Sequence, residues 1–309
     1  MLMSPIPCFP TFKKLELSDK NVIENVTSQF NAYSDFNFAS LWNYDTESTI
    51  EWSLLHDNLV VQFADYITGH PFLSFIGHKK IIETVRTLLD YTTSHNLPHY
   101  LKLVPQEVID SEPSLSSAFK IVEDSHNHDY ILSVEEYLTY SGQKFASKRK
   151  NVRKFTEAFP DAKVELLDLS DKTTQDEIIA LFYAWTKIRK VPKDEYIHEL
   201  KATQRFIKAS NHFNYIALGI RNGSQLLAYS LIEKEPKTFL QHHFLKTLTK
   251  HEYKGLFERI DHEMAKIAQA EGYSFINIQQ DIGIEGLQAA KSLGRPVTFL
   301  KKYCISEKK

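Results

Sequence analysis

Cysteine is nearly absent. Cys8 and Cys304 are the only two in 309 residues, they stand at opposite ends of the chain, and they do not suggest a disulfide framework. Glycine and proline are sparse as well, at 10 and 11 residues, which excludes collagen-like and low-complexity architectures. Neither sign of charge dominates, with 37 Lys and Arg facing 39 Asp and Glu. Bulk charge therefore does not point to nucleic acid, and such a partner would need a local basic patch. Long apolar runs are missing too. The longest, Ile178 to Trp185, is eight residues, against the roughly 18–20 of a transmembrane helix. Met1 to Pro10 has no basic start and no sustained apolar stretch, so it does not read as a secretory signal. These absences lead to the expectation of a reduced, cytoplasmic protein. What remains is ordinary globular material, 42% hydrophobic and 25% charged, with a length of about two domains at roughly 150 residues each.

The first third mixes elements. Leu54 to Ala64 reads as a hairpin around His56-Asp57-Asn58, Lys79 to Ser94 as a helix, and Pro98 to Val104 as a strand. Val108 to Ala118 reads as a short helix and His128 to Val134 as another strand. Residues 136–142 are the expected crossing between two lobes, giving domains at 1–135 and 136–309. The second half is clearer. Phe145, Val152, Phe155 and Phe159 fall on one helix face that stops before Pro160. Lys163 to Leu169 reads as a strand, and Thr174 with Glu177 as a capping box ahead of a helix faced by Ile178, Leu181, Phe182, Trp185 and Ile188. A further helix carries Tyr196, Leu200, Thr203 and Ile207. Asn222-Gly223 between two apolar segments signals a hairpin, and Thr238 to Lys246 a third strand. Leu256, Ile260, Met264 and Ile267 define a helix ended by Gly272. Phe275 to Gln279 reads as a strand, Ile284 to Leu293 as a short helix, and Val297 to Tyr303 as one closing strand. Two helices, a three-strand meander, helix, strand, helix, strand is the element order of an acyl-CoA N-acyltransferase (GNAT) lobe.

Four segments carry a more specific resemblance. They are the stretch from Ser141 to Phe155, the pair Ala184-Trp185, the turn Tyr253-Lys254-Gly255-Leu256-Phe257, and the motif running from Asn277 through Asp281, Gly283, Gly286 and Leu287 to Ala290-Lys291. With Phe38-Ala39-Ser40-Leu41-Trp42, they resemble the C-terminal catalytic region of phosphatidylglycerol lysyltransferases and its stand-alone relatives. The basic stretch is also similar to that of Fem-type peptidoglycan aminoacyltransferases. The resemblance covers most of the chain. It implies an α+β fold, a tandem of two GNAT-like lobes, each a mixed, mainly antiparallel sheet flanked by helices. It also implies transfer of an aminoacyl group from aminoacyl-tRNA to an acceptor amine or hydroxyl, on a lipid, a peptide or a small molecule. Two departures stand out. The family's acidic-basic pair at the end of the strand after the hairpin reads Phe244-Leu245-Lys246 here, and the integral-membrane half of the lipid-modifying enzymes has no counterpart.

Six of the eleven residues from Lys144 to Lys154 are basic, namely Lys144, Lys148, Arg149, Lys150, Arg153 and Lys154. With Phe145, Val152 and Phe155 inward, the cations are expected on the exposed face, repelling one another at i,i+4. A phosphate-bearing partner such as tRNA relieves that repulsion; the alternative is a solvated face. The loop Thr247 to Leu256 stands where an acetyltransferase cradles the CoA pyrophosphate on backbone N–H groups. Phe257 occupies the place of its second glycine, so CoA is disfavoured and no cofactor is expected. Asn277, Gln279, Gln280 and Asp281 end an apolar strand just before Gly283, as a substrate site does. Asp281 is the candidate to bind an ammonium or orient a base, or simply to cap the following helix. Lys291 and Lys246 are candidates to line the same cleft.

His242 and His243 sit mid-strand and point to opposite faces, one a candidate base and either a candidate core histidine. His126 and His128 flank Asn127 beside Asp129, but without further regularly spaced ligands no metal is expected. Trp42, Trp52 and Trp185 read as core. No nucleophile elbow, phosphate-binding Gly-rich loop or Cys-based triad occurs. An aminoacyl ester is already activated, so positioning, proton removal and oxyanion stabilisation suffice. The expected catalytic residues are Asp281, Gln279 and His243. Two other readings share the sequence: a CoA-dependent N-acetyltransferase, and an idle module presenting the basic helix to RNA or another anionic ligand.

Overall fold

The computed structural model describes residues 6–235 and 238–308, which form two compact units. The first unit runs to Tyr130 and takes back Gln280–Leu293 and the chain from Thr298; the second is Ile131–Gln279 with Gly294–Val297. In chain order the strands are β1 (Lys13–Lys14), β2 (Glu51–Leu55), β3 (Asn58–Ala64), β4 (Pro71–Ile76), β5 (Leu101–Pro105), β6 (Phe119–Glu123), β7 (Asp129–Ser133), β8 (Lys163–Leu166), β9 (Tyr215–Asn222), β10 (Gln225–Lys234), β11 (Phe239–Thr247), β12 (Phe275–Asn277), β13 (Thr298–Leu300) and β14 (Lys302–Glu307).

The first unit holds a seven-stranded sheet in the order β1-β2-β3-β4-β5-β14-β6. Its meander β2-β3-β4 is antiparallel, β4 and β5 run parallel, and β14 lies antiparallel to β5 and β6. The second unit's sheet runs β7-β12-β11-β10-β9-β8. Again the meander is antiparallel, one pair (β11 and β12) is parallel, and an antiparallel strand, β7, lies beyond it. Parallel neighbours need a crossover, and helices Ile81–Ser94 and Leu256–Ala270 supply the two. The same topology thus occurs twice, in an α+β fold of two mixed sheets flanked by helices.

Local chemistry explains most boundaries. His56 and Asp57 take positive φ (53° and 62°) between β2 and β3, the requirement of a tight two-residue hairpin. Between β9 and β10 the turn residues are Gly223 and Ser224, with Asn222 paired to Gln225, one place later than the Asn-Gly reading. Helix Lys172–Arg189 is capped by Asp171, whose carboxylate accepts from Thr174 N at 2.8 Å. The expected Thr174–Glu177 capping box is absent because the helix starts earlier, which leaves Thr174 in its first turn, and Glu177 pairs instead with Arg221 at 2.7 Å. The helix expected over 108–118 is two short ones, Gln106–Ser111 and Leu115–Ala118, broken ahead of Pro113.

The end of the chain departs most from the sequence reading. The single closing strand is two, β13 and β14. The division at 135/136 gives way to units that part at Tyr130/Ile131, with β14 paired into the first unit's sheet. A buried charge accounts for the return of β14. The Lys302 ammonium is fully buried, ion-paired to Asp35 and 2.9 Å from Asp129. Burial alone would lower its pKa, but the two carboxylates hold it above the usual lysine range. Burial also pushes Asp35 up, although Lys302 pulls it down. Removing the cation strands two buried carboxylates side by side. Lys302→Met is therefore expected to lower unfolding free energy by about 3–5 kcal/mol, whereas exposed Lys301→Met changes it little. Urea denaturation of both variants checks this, and equal midpoints would contradict it.

Candidate active site

In the second unit β12 accompanies β11 only from Phe239↔Phe275 to Gln241↔Asn277, after which β11 continues to Thr247 paired with β10 alone. A bulge interrupts the β10–β11 register at the same level, placing Leu231 opposite Phe244 but Ile232 opposite His242. The extra residue is His243, and such bulges re-aim side chains. The Nε2 of His243 lies 3.3 Å from Glu233 Oε2, and its ring packs on Phe206. Burial pulls its pKa down to about 3, so the ring is neutral at physiological pH and Nε2–H donates to the carboxylate. His242 instead sits 2.9 Å from Ser230 Oγ. Beyond β12 the backbone turns sharply: Gln279 has φ 63°, its N–H donates to Asn277 Oδ1 at 2.7 Å, and its amide donates to the His242 carbonyl at 3.2 Å. Asn277, Gln279 and His243 are thus brought together in one unit.

Lys246 closes the open end of β11. Its ammonium is buried, 4.3 Å from the Trp185 ring centroid and 5.2 Å from that of Phe182, and ion-paired to Glu199 of helix Lys193–Lys208. The acidic partner of Lys246 thus comes from a helix and not from the strand itself. Trp185 is half-buried over this ion pair rather than a core residue, and Trp42 is half-buried too, while Trp52 is core. The next residues, from Thr247 to Phe257, line a cavity of about 270 Å³ at the start of helix Leu256–Ala270. Gly255 (φ 97°) serves packing there, since a Cβ would come within 2.0 Å of the Asn151 carbonyl oxygen. Phe257 is exposed at the rim.

The remaining candidates of the motif belong to the first unit. Asp281 is buried; its Oδ2 accepts from the Tyr130 hydroxyl at 2.6 Å and its Oδ1 from Gly283 N at 2.8 Å. Burial and then the Asp281 carboxylate raise the Tyr130 pKa. Asp281 does not cap helix Glu285–Ser292, whose N-cap is Ile284; it closes the preceding turn. Gln280, expected to bind substrate, is committed internally. Its Oε1 lies 2.6 Å from Ser34 Oγ and 3.4 Å from Lys302 Nζ, and its Nε2 donates to Asp35 at 2.9 Å. Lys291 stands on helix Glu285–Ser292. The described residues contain no cluster of three or more metal-ligating side chains; His126 is exposed and His128 buried.

Helix Ala146–Ala158 carries the basic stretch. Not all its cations face solvent. Lys148 lies three residues after Phe145 and four before Val152, which puts it on the apolar face. It donates to the Tyr137 hydroxyl at 3.2 Å, lies 4.8 Å from that ring's centroid, and stands 4.0 Å from Asp261. Arg149 donates to the carbonyls of Tyr140 and Gly142. Lys144 pairs with Glu136 at 2.5 Å, and Arg153, exposed, with Glu157 at 3.5 Å.

Glu199, Glu233 and Gln241 went unread in the sequence. The available signal was a polar residue at an inward position of an otherwise apolar strand, as Glu233 and Gln241 are.

The family described as "Phosphatidylglycerol lysyltransferase, C-terminal" matches residues 28–306. A search of curated proteins finds no significant match. A conserved protein of unknown function from Bacteroides thetaiotaomicron VPI-5482 is similar in structure, with TM-score 0.83 and 23% identity over 96% of this chain and 99% of that one. L-PGS from Bacillus licheniformis is similar with TM-score 0.63 and 10% identity, over 99% of this chain and 95% of that one. At these identities the likeness is one of fold. No helix among the described residues is long and apolar enough to cross a membrane.

Asp261 gives the second unit a pH signature. Burial raises its pKa from 3.8 to about 7, against the pull of Lys148 and with help from Glu258. Between those values the folded protein holds a proton that the unfolded chain releases, so this group's contribution falls as pH rises. Asp261→Asn removes that loss. Its melting temperature is expected to gain on wild type between pH 5 and pH 8, as scanning calorimetry at both pH values would show. An identical difference at the two would contradict the assignment.

Proposed function

Since the chain belongs to the phosphatidylglycerol lysyltransferase C-terminal family over residues 28–306, we propose that it is an aminoacyltransferase, moving an aminoacyl group from aminoacyl-tRNA to an acceptor amine or hydroxyl. That membership is the observation that carries the reading. The twice-used topology supports two GNAT-like lobes in tandem, with the donor entering where β11 and β12 part. β12 ends at Asn277 while β11 runs on to Thr247, which leaves a β11 edge along which an extended group can lie.

The chemistry asks little of any single residue. The ester is activated, and correct placement can supply several kcal/mol, up to roughly 7–11 in ideal cases. In this reading Asn277, Gln279, His243 and Lys246 line the donor side, with Glu199 holding Lys246. Asp281 remains the candidate to orient the acceptor or take its proton, and Lys291 for substrate contact. Gln280 is a positioning residue, since its amide is already engaged. Lys144, Arg149 and Arg153 take tRNA phosphates, joined by Lys150 and Lys154, while Lys148 serves the helix packing. The acceptor is a lipid, a peptide or a small molecule. Phe257 at the cavity rim speaks against CoA, because a benzyl group obstructs the approach of a diphosphate.

Aminoacyl-tRNAs carrying a labelled aminoacyl group and labelled acetyl-CoA, each offered with phosphatidylglycerol vesicles and with an amine-terminated glycine peptide, test the proposal. Label is expected to leave the tRNA for one acceptor and to stay on CoA. Transfer from acetyl-CoA instead would replace the proposal with an acetyltransferase. Binding of tRNA without transfer would leave only a binding module.

A further inference from the structure

A polar line crosses the second unit's sheet. Glu233, Gln241 and Asn277 stand level on β10, β11 and β12, and residues level on neighbouring strands share a face. All three are buried. His243 joins them through its contact with Glu233. Apolar side chains would fill these interior positions at lower free energy.

Three polar atoms in this group have no protein partner: both ends of the Gln241 amide, Oε1 and Nε2, and Nδ1 of His243. Gln241 is fully buried. More than about 90% of buried polar groups in native proteins are paired, so three together point to an absent partner. They also lie at the last β11 residue that β12 accompanies. Counting hydrogens defines that partner. The imidazole donates through Nε2 to Glu233, which leaves Nδ1 a bare acceptor. Gln241 adds one acceptor oxygen and an NH2 group with two N–H donors. The occupant must offer two hydrogen-bond donors and, close by, at least one acceptor.

We infer that Gln241 and His243 bind the head of an aminoacyl group, its α-ammonium donating to His243 Nδ1 and Gln241 Oε1 and its carbonyl oxygen accepting from Gln241 Nε2. This rests on the aminoacyltransferase reading and assigns binding residues for its donor. A lone ammonium leaves the Gln241 donors unmet, and a lone ester carbonyl leaves both acceptors unmet. The recognised atoms are common to all amino acids, so the donor's side chain is read elsewhere.

The test uses neither tRNA nor acceptor, so its failure is separable from failure of the transfer reaction. L-alanine methyl ester, N-acetyl-L-alanine methyl ester, methyl propionate and propionamide are titrated into the full chain and followed by ligand-observed NMR. The amino ester is expected to bind at least about tenfold more tightly than the other three. Gln241→Met replaces an amide that has no partner in the empty protein. It is expected to melt at the same temperature or higher, while losing amino-ester affinity by about tenfold or more. A purely structural glutamine would not give that combination. His243→Phe, which keeps the packing on Phe206, is expected to lose the amino ester by a similar factor. Undiminished affinity in either variant overturns the inference. So does equal binding of propionamide, which would make this a carboxamide site. Absence of binding by every probe would do the same, leaving buried water as the partner.

Discussion

Burying the Lys302 ammonium obliges the first unit to bury carboxylates with it, since an unpaired ion in a protein interior costs about several kcal/mol. Asp35 and Asp129 answer that demand from two distant parts of the chain. Ser34 is drawn in by its backbone N–H and hydroxyl, both bonded to Asp129. Gln280 completes the group, reaching Ser34, Lys302 and Asp35 with one amide. Charge satisfaction thus ties the last strand of the chain to the turn that begins the Gln280–Leu293 segment. Beside that anchor, Ile282 and Gly283 take left-handed backbone, with φ of 49° and 76°. Strain of this kind persists where surrounding contacts over-determine it. Here Gln280 on one side and the Tyr130–Asp281–Gly283 bonds on the other provide those contacts.

The second unit buries polar groups as well. Its sheet places polar groups in the interior and leaves some of them unmatched. Unmatched burial lowers stability by about 1–3 kcal/mol per group, which is tolerable where a bound group restores the hydrogen bonds. Nearby, the Glu199–Lys246 ion pair is fully matched and roofed by Trp185. One region is finished without a ligand, while the other is finished only with one.

Much of the fold was legible. Periodicity located the helices Ile81–Ser94, Ala146–Ala158, Lys172–Arg189, Lys193–Lys208 and Leu256–Ala270 to within a few residues, because each buries a single apolar face. The return of β14 was not legible, because Val297 to Tyr303 reads locally as one strand and only the distant Asp35 and Asp129 select its second part. Lys148 looked like one more cation in a basic run. Its place between Phe145 and Val152 was readable, but the tyrosine rings that receive it come from the preceding helix and turn. The site was legible as a motif and illegible as a geometry. Asn277, Gln279 and Asp281 stood out by type and spacing, whereas Glu199 joins Lys246 only through tertiary packing. Gln280 shows the limit most plainly, for a motif glutamine reads as a ligand until its amide is found already bonded.

The dependence of the motif turn on the buried charge group is tested most directly by hydrogen exchange in Gln280→Met. That change cuts the amide links and leaves the Lys302–Asp35–Asp129 pairing in place. The amides of Gly283 and Ile284, bonded to Asp281 at 2.8 Å and 3.0 Å, are expected to lose protection, while those of β14 keep theirs. Unchanged protection at Gly283 and Ile284 would mean that the turn holds its shape without the anchor.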